Sequence, residues 1–248
     1  MRHYITIFLV LSAIVVLGND RVHKMEQAQS AYEAAKYNDA IAYYEEVASQ
    51  SYTNFELYYN LGNAYFKANR IPKALLNYER AKKINPTDED LLFNIELANT
   101  FLADKFESLP TLGISTFFKR IVLSLSVNAW AILSVITFIS GLVFFILYHF
   151  KAALKKISLI FIPIVLSLSI LSFVFGAMAK QYIYAQTTAI IMTPSLTVQS
   201  VPGSTGSDLY VIHSGLKVNI LDTQKEWIRI KLPDGNVGWV KKAEVEVI

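Results

Sequence analysis

Ile121 to Phe150 is a run of thirty residues without Asp, Glu, Lys or Arg, and a second such run of twenty-three extends from Ile157 to Ala179. About 20 apolar residues cross a bilayer as a helix, so each run is long enough. Only Lys151-Ala152-Ala153-Leu154-Lys155-Lys156 separates them. That spacing predicts a tight helical hairpin with transmembrane helices at 127–150 and 157–179 and a cytoplasmic loop at 151–156. Two buried helices of a soluble bundle are the competing reading, but soluble helices of this length keep a polar face. Pro163 lies in the second run, where a membrane helix tolerates it as a kink.

The N-terminus has a short positive start at Arg2, an apolar stretch from Tyr4 to Leu17, and the small residue Gly18 before Asn19-Asp20. Residues 1–18 therefore read as a signal peptide or a retained signal anchor. Either would carry the following region across the membrane. Lys151, Lys155 and Lys156 in the loop agree with an inward hairpin tip, but Lys119, Arg120 and Lys180 flank the other end. The positive-inside count is level, so the N-terminal segment carries the orientation: both flanking regions outside, on the periplasmic face of the bacterial inner membrane.

Between these features, Phe55 to Asp88 has a 34-residue pattern in which Tyr58, Leu61, Gly62, Tyr65, Ala74, Tyr78, Ala81 and Pro86 recur in phase. Bulky residues at these positions fill a helix–helix seam, Gly62 and Ala74 let two backbones approach, and Pro86 closes the unit. The pattern resembles the tetratricopeptide repeat (TPR), a helix-turn-helix protein-binding scaffold. One unit cannot bury its own apolar face. Stepping back 34 residues aligns Ala28, Ala40, Tyr44 and Val47 with Gly62, Ala74, Tyr78 and Ala81, so Val22 to Gln50 reads as a first repeat. Its inter-helix turn is expected at Tyr37 to Ile41. Stepping forward aligns Leu92 and Ile95 with Tyr58 and Leu61, but Pro110 and Gly113 interrupt the second helix. Glu89 to about Phe106 is then a lone capping helix, the TPR region covers 21–107, and 108–126 is an amphipathic linker.

After the second run, short alternating segments replace the helical pattern: 189–192, 196–198, 209–212, 217–221, 226–231 and 238–240. Such closely spaced strands predict a small all-β barrel over 185–248, with Pro233-Asp234-Gly235-Asn236 as a turn. The order Gly215, Trp227-Ile228-Arg229-Ile230, Asp234-Gly235, Gly238-Trp239-Val240 resembles bacterial SH3-like (SH3b) domains. The fold class is thus multidomain: all-α TPR repeats, a transmembrane α-hairpin, then an SH3b barrel.

The order of these parts, with the Asn85 to Ala98 run and Trp130 early in the first span, resembles the BatE family of the Bacteroides aerotolerance (Bat) operons along nearly the full length. In this family the first repeat usually starts with a bulky residue and a glycine, which are lacking here. The resemblance implies von Willebrand factor A-domain membrane proteins and a MoxR-type AAA ATPase as partners, in a cell-envelope complex linked to stress tolerance.

On the repeat helices, Glu56, Tyr59, Asn60, Asn63, Phe66 and Lys67 are expected to face a concave groove, continued by Phe93, Asn94 and Leu97 and begun by Met25, Gln29 and Tyr32. Asn60 and Asn63 can each donate to and accept from a peptide backbone, or they can hold neighbouring helices together. In the barrel, Trp227 and Trp239 serve core packing or ligand stacking. Tyr210 and Trp227 are the candidate exposed aromatic pair, with Asp208 and Asp222 as polar neighbours, for peptidoglycan or a proline-rich segment.

Chemistry beyond binding finds little support. The four histidines, His3, His23, His149 and His213, share no motif with a nucleophile or paired carboxylate. Glu45-Glu46 and Asp88-Glu89-Asp90 fall on a helix face and a helix start, where acids are solvated or offset the helix dipole. With no cysteine in the chain, disulfides and thiol chemistry are excluded. The expectation is a non-enzyme with no catalytic residue, metal or cofactor. The region from Arg21 to Glu107 holds ten basic and thirteen acidic residues, and Lys180 to Ile248 seven and six. Neither has the basic stripe that nucleic acid needs. Two functions remain: a membrane-anchored scaffold that binds proteins through the TPR groove, and a peptidoglycan-binding sensor acting through the SH3b domain.

Overall fold

The computed structural model describes residues 20–50, 52–105, 114–184, 187–203 and 205–248. The signal-like segment 1–18 and the expected breakers Pro110 and Gly113 lie outside these residues. The three-part fold class is the one observed: helical repeats, an apolar helical hairpin and an antiparallel all-β sheet. The repeats with their capping helix and the C-terminal sheet fall in one compact unit, and the hairpin with the helix before it in a second.

The helices of the repeats are residues 20–33 (α1), Tyr37–Ser49 (α2), Phe55–Lys67 (α3) and Ile71–Ile84 (α4). The 34-residue period extends to the backbone. Ala35 and Asn69 both adopt a left-handed conformation, at φ 58° and 60°. Lys36 N–H and Arg70 N–H then reach back to the carbonyls of Ala31 and Tyr65, each at 2.9 Å. This closes the two inter-helix turns identically, in the manner of a Schellman motif. The turn after α1 is therefore residues 34–36, and Tyr37 to Ile41, expected as the turn, form the first turn of α2. Gly62 meets its predicted role, since a Cβ there would stand 2.5 Å from the Tyr78 ring. Ala40, Tyr44, Leu61, Tyr65, Ala74, Tyr78 and Ala81 form the buried seam.

The capping helix α5 spans Glu89–Asn99, shorter than expected. Thr100 caps it by donating from Oγ1 to the Leu97 carbonyl at 2.6 Å, and the chain then leaves the helix to pack on the sheet. Leu102 lies over Gly215, whose φ is +90° and whose hypothetical Cβ would be 2.3 Å from Leu102 Cδ2. The Asp104 carboxylate accepts from His213 N–H at 2.6 Å and bonds His213 Nδ1 at 2.8 Å.

The sheet has seven strands: β1 (Thr188–Ile191), β2 (Ser195–Gln199), β3 (Asp208–His213), β4 (Lys217–Gln224), β5 (Trp227–Lys231), β6 (Val237–Lys241) and β7 (Val245–Val247). Their order is β3-β2-β6-β5-β4-β1-β7, with every pairing antiparallel. The turn at 233–236 forms as expected, with Gly235 at φ +96° and Asn236 N–H donating to Asp234 Oδ1 at 3.0 Å. Strand β1 is buried at all four positions because it has a core on each side. Ala189 and Ile191 pack into the sheet's core while Ile190 belongs to the helical core. Ion pairs surround that seam: Lys217 with Glu79 at 2.6 Å, Arg80 with Glu246 at 3.1 Å, and Lys73 with Glu246 at 3.5 Å.

In the second unit, α6 is Ile114–Val122, α7 is Val127–Phe150 and α8 is Lys155–Tyr184. A short 3-10 turn at Ala152–Leu154 joins α7 to α8. Helix α7 covers the same residues as the first apolar segment of the sequence analysis, 127–150. The second is longer than 157–179 because α8 takes in Lys155, Lys156 and Lys180, and Pro163 does not end it. Both helices are long and apolar enough to cross a membrane. Ser134 and Ser169 clasp them together, Ser169 Oγ donating to the Ser134 carbonyl at 2.9 Å and Ser134 Oγ to the Ser169 carbonyl at 3.1 Å.

Candidate functional site

The repeats carry a cleft of about 670 Å³ lined by Arg21, Val22, Met25, Gln29, Tyr52 and Asn60, among others. Helix α1 provides one wall and α3 the other. Helix α3 starts sharply because Asn54 caps it, its Oδ1 accepting from Leu57 N–H at 2.7 Å. Between the two repeats Tyr52 lies under the Arg21 guanidinium, 5.1 Å from it. Tyr44 forms the floor, its hydroxyl donating to Gln29 Oε1 at 3.3 Å. Burial first, then Tyr32 and Glu33, push the Tyr44 phenol up to about 12, so it is a neutral donor at physiological pH. The opening thus offers apolar wall, amides and a phenol, a mixture suited to a peptide segment.

Nine of the twelve predicted groove residues separate into three groups. Asn60, Met25 and Gln29 line the cleft. Tyr59, Asn63 and Asn94 form a hydrogen-bonded set between helices. Asn63 Oδ1 accepts from the Tyr78 hydroxyl at 2.8 Å and from Asn94 Nδ2 at 3.0 Å, and Asn94 Nδ2 also reaches the Tyr59 hydroxyl at 3.2 Å. The amide oxygen of Asn63 therefore joins α3, α4 and α5. Phe66, Phe93 and Leu97 form the third group. Phe66 meets Phe101 edge-on at 5.6 Å, and Phe93 is 65% exposed. Glu56 and Lys67 are exposed, and Tyr32 packs edge-on against Tyr37 at 5.5 Å.

Arg21, Val22, Tyr44 and Tyr52 belong to the cleft but are not among the groove residues expected from the sequence, where Tyr44 appears only as a seam position. Tyr52 carried one usable signal, an aromatic residue alone in the link between repeats. The contacts that hold the sheet come from Lys73, Glu79, Arg80 and Asp104, none of which lines the cleft.

On the sheet the proposed aromatic pair does not assemble. Tyr210 packs against the sheet's core, and its buried hydroxyl has no hydrogen-bond partner among the described residues. Burial, followed by Asp234, raises its pKa. Trp227 lies on the other face of its strand, since its neighbour Ile228 and Ile230 are the core residues of β5. Alternation along each strand separates the two rings. Trp227 is half-buried beside exposed Arg229, whereas Trp239 is buried. Asp208 and Asp222 are exposed, and Asp222 accepts from Thr223 N–H at 2.7 Å within its own strand. His213 ends β3 and is the partner of Asp104.

No curated protein matches the chain. A family model described as tetratricopeptide repeat matches residues 55–88, and one described as bacterial SH3 domain matches residues 194–246. The helical repeat is thus similar to TPR units and the sheet to bacterial SH3 domains, two kinds of module that point to protein interaction.

Proposed function

We propose that the protein is a membrane-anchored interaction scaffold of the bacterial cell envelope, non-catalytic, whose repeats capture a partner segment in the α1–α3 cleft. The observation that carries this reading is the open cleft itself, which stays clear of the side chains that hold the sheet. Membrane anchoring rests on the two apolar helices. A hairpin of two spans returns the chain to the side it left. The ion pairs between α4 and the sheet support a shared side for the two soluble parts. The N-terminal signal layout supports the periplasmic side of the inner membrane. Resemblance to the BatE family supports an aerotolerance or stress-related complex, with von Willebrand factor A-domain membrane proteins and a MoxR-type ATPase as partners.

Crosslinking and capture from membranes with the full-length chain tests this. Gln29→Ala with Asn60→Ala should lose the A-domain proteins and the ATPase that the unaltered chain recovers. Equal recovery by both would remove the cleft from the function.

A second reading, a peptidoglycan-binding sensor, is favoured by half-buried Trp227 on the outer face of β5 next to Arg229. Retention of the detergent-solubilised chain on isolated cell wall, lost with Trp227→Ala and kept with Lys242→Ala, would establish it. No retention by the unaltered chain would eliminate it.

A further inference from the structure

From Ser108 to Ser207 the chain contains no acidic residue. Every charged side chain from Ser108 to Thr187 is basic: Lys119, Arg120, Lys151, Lys155, Lys156 and Lys180. Two of these six are on α6, a helix the notion of a linker does not explain. Its C-terminal end is fixed to the hairpin, because the Trp130 indole N–H donates to the Val122 carbonyl at 2.9 Å and Val122 is fully buried. Trp130 in turn meets Phe175 of α8 edge-on at 5.2 Å. A Cβ on Gly176 would lie 3.2 Å from Trp130 Cβ, so the three helices meet closely there.

Phe117 and Phe118 of this fixed helix are 61% and 51% exposed. Lys119 and Arg120 follow directly in its last turn. The Lys119 ammonium is 5.9 Å from the Tyr182 ring on α8. Two exposed phenylalanines joined to two cations are poorly served by water or by hydrocarbon alone. The headgroup layer serves both, with rings at the acyl boundary and cations among phosphates. Arginine suits phosphate in particular, since its planar fork donates two parallel hydrogen bonds.

We infer that α6 lies in the membrane interface and binds anionic phospholipid headgroups through Lys119 and Arg120, with Phe117 and Phe118 inserted beside them. This rests on the reading of α7 and α8 as membrane spans. The absence of cysteine allows single nitroxide labels to be placed without background. The test uses the full chain in vesicles of phosphatidylcholine with phosphatidylglycerol. Labels at Phe117→Cys and, as the span control, Ile139→Cys are compared for access to oxygen and to an aqueous nickel chelate.

Both labels should favour oxygen, with position 117 the shallower. The preference for spin-labelled phosphatidylglycerol should fall by roughly fivefold for each basic residue removed in K119Q/R120Q. A lipid-embedded 139 with an aqueous 117 would overturn the interfacial helix while the spans stand. An aqueous 139 would remove both. An interfacial 117 with unchanged lipid preference in the double variant would overturn the headgroup assignment.

Discussion

The α3–α4 pair of the repeats and the α7–α8 hairpin are both antiparallel helix pairs closed by small residues, yet they are built inside out relative to one another. In the repeats the seam is Leu57, Leu61, Tyr65, Leu75, Leu76 and Tyr78, and residues such as Glu56 and Lys67 face outward. In the hairpin the buried positions are Thr137, Gly141, Ser158, Ser169, Ser172, Gly176 and Ala179, with Trp130 the one large side chain among them, while Ile170 and Phe173 are 66% and 68% exposed. The first arrangement is driven by removal of apolar surface from water. That force is missing between helices in lipid, where close packing and hydroxyl-to-carbonyl bonds take over. The first pair thus has the surface suited to water, and the second has one suited to lipid.

The largest effect that would sharpen this contrast comes from the repeat seam. Tyr78→Ala removes a ring that is 1% exposed and packs on Gly62, and should lower unfolding stability by about 3–5 kcal/mol in a denaturant titration. A loss below about 1 kcal/mol would mean that the seam is not what holds the repeats.

Next comes the hairpin surface. Ile170 is at the middle of α8, where Lys should cost about 2.5–3.5 kcal/mol of insertion. Alkaline extraction of membranes should release Ile170→Lys while the unaltered chain stays. Phe93→Lys makes the equivalent change on an equally exposed residue of α5 and should alter stability by no more than about 0.5 kcal/mol. Similar behaviour of the two variants would break the inside-out comparison.

The smallest effect is alkaline. Tyr44 is pushed up to about 12, and burial also raises Tyr65 and Tyr78, Tyr65 helped by its bond to Glu45. With folded pKa values above the unfolded value near 10, the contribution is whole below pH 10 and declines as pH rises through the folded values. Tyr44 alone should account for about 1 kcal/mol between pH 10 and 11. Denaturant midpoints should fall over that range, and Tyr44→Phe should flatten the decline. An undiminished slope in that variant would place the effect elsewhere.

Periodic features were the legible part of this chain. The 34-residue repeat could be read from Gly62 and Tyr78 because both helices of a unit lie within one short window. Strand alternation gave six strands, while β7 escaped since Val245–Val247 is too short to show a period. The end of α5 escaped for another reason: the chain leaves the helix to reach a distant partner. Asp104 and His213 are 109 residues apart, and Glu79 and Lys217 are 138 apart. No local pattern encodes such pairs. In the cleft, Asn60 and Asn63 look alike in sequence, and only the packing of Tyr78 and Asn94 separates the one that lines the opening from the one that joins helices.

The seam around β1 has a consequence for the order in which the molecule is made. The repeats leave the ribosome first, and Leu75, Glu79 and Asp104 wait for their partners until residues 188–248 have been synthesised. The stretch from Ser108 to Thr187 is therefore an insertion within one folded body. Closing so long a loop adds little entropy over a short one, because that penalty grows only logarithmically with length. A chain that placed one of its two apolar helices and not the other across a bilayer would leave the sheet on the wrong side of it. On the membrane reading proposed above, docking of β1 onto α4 would then fail, and completion of the fold would depend on the placement of both helices.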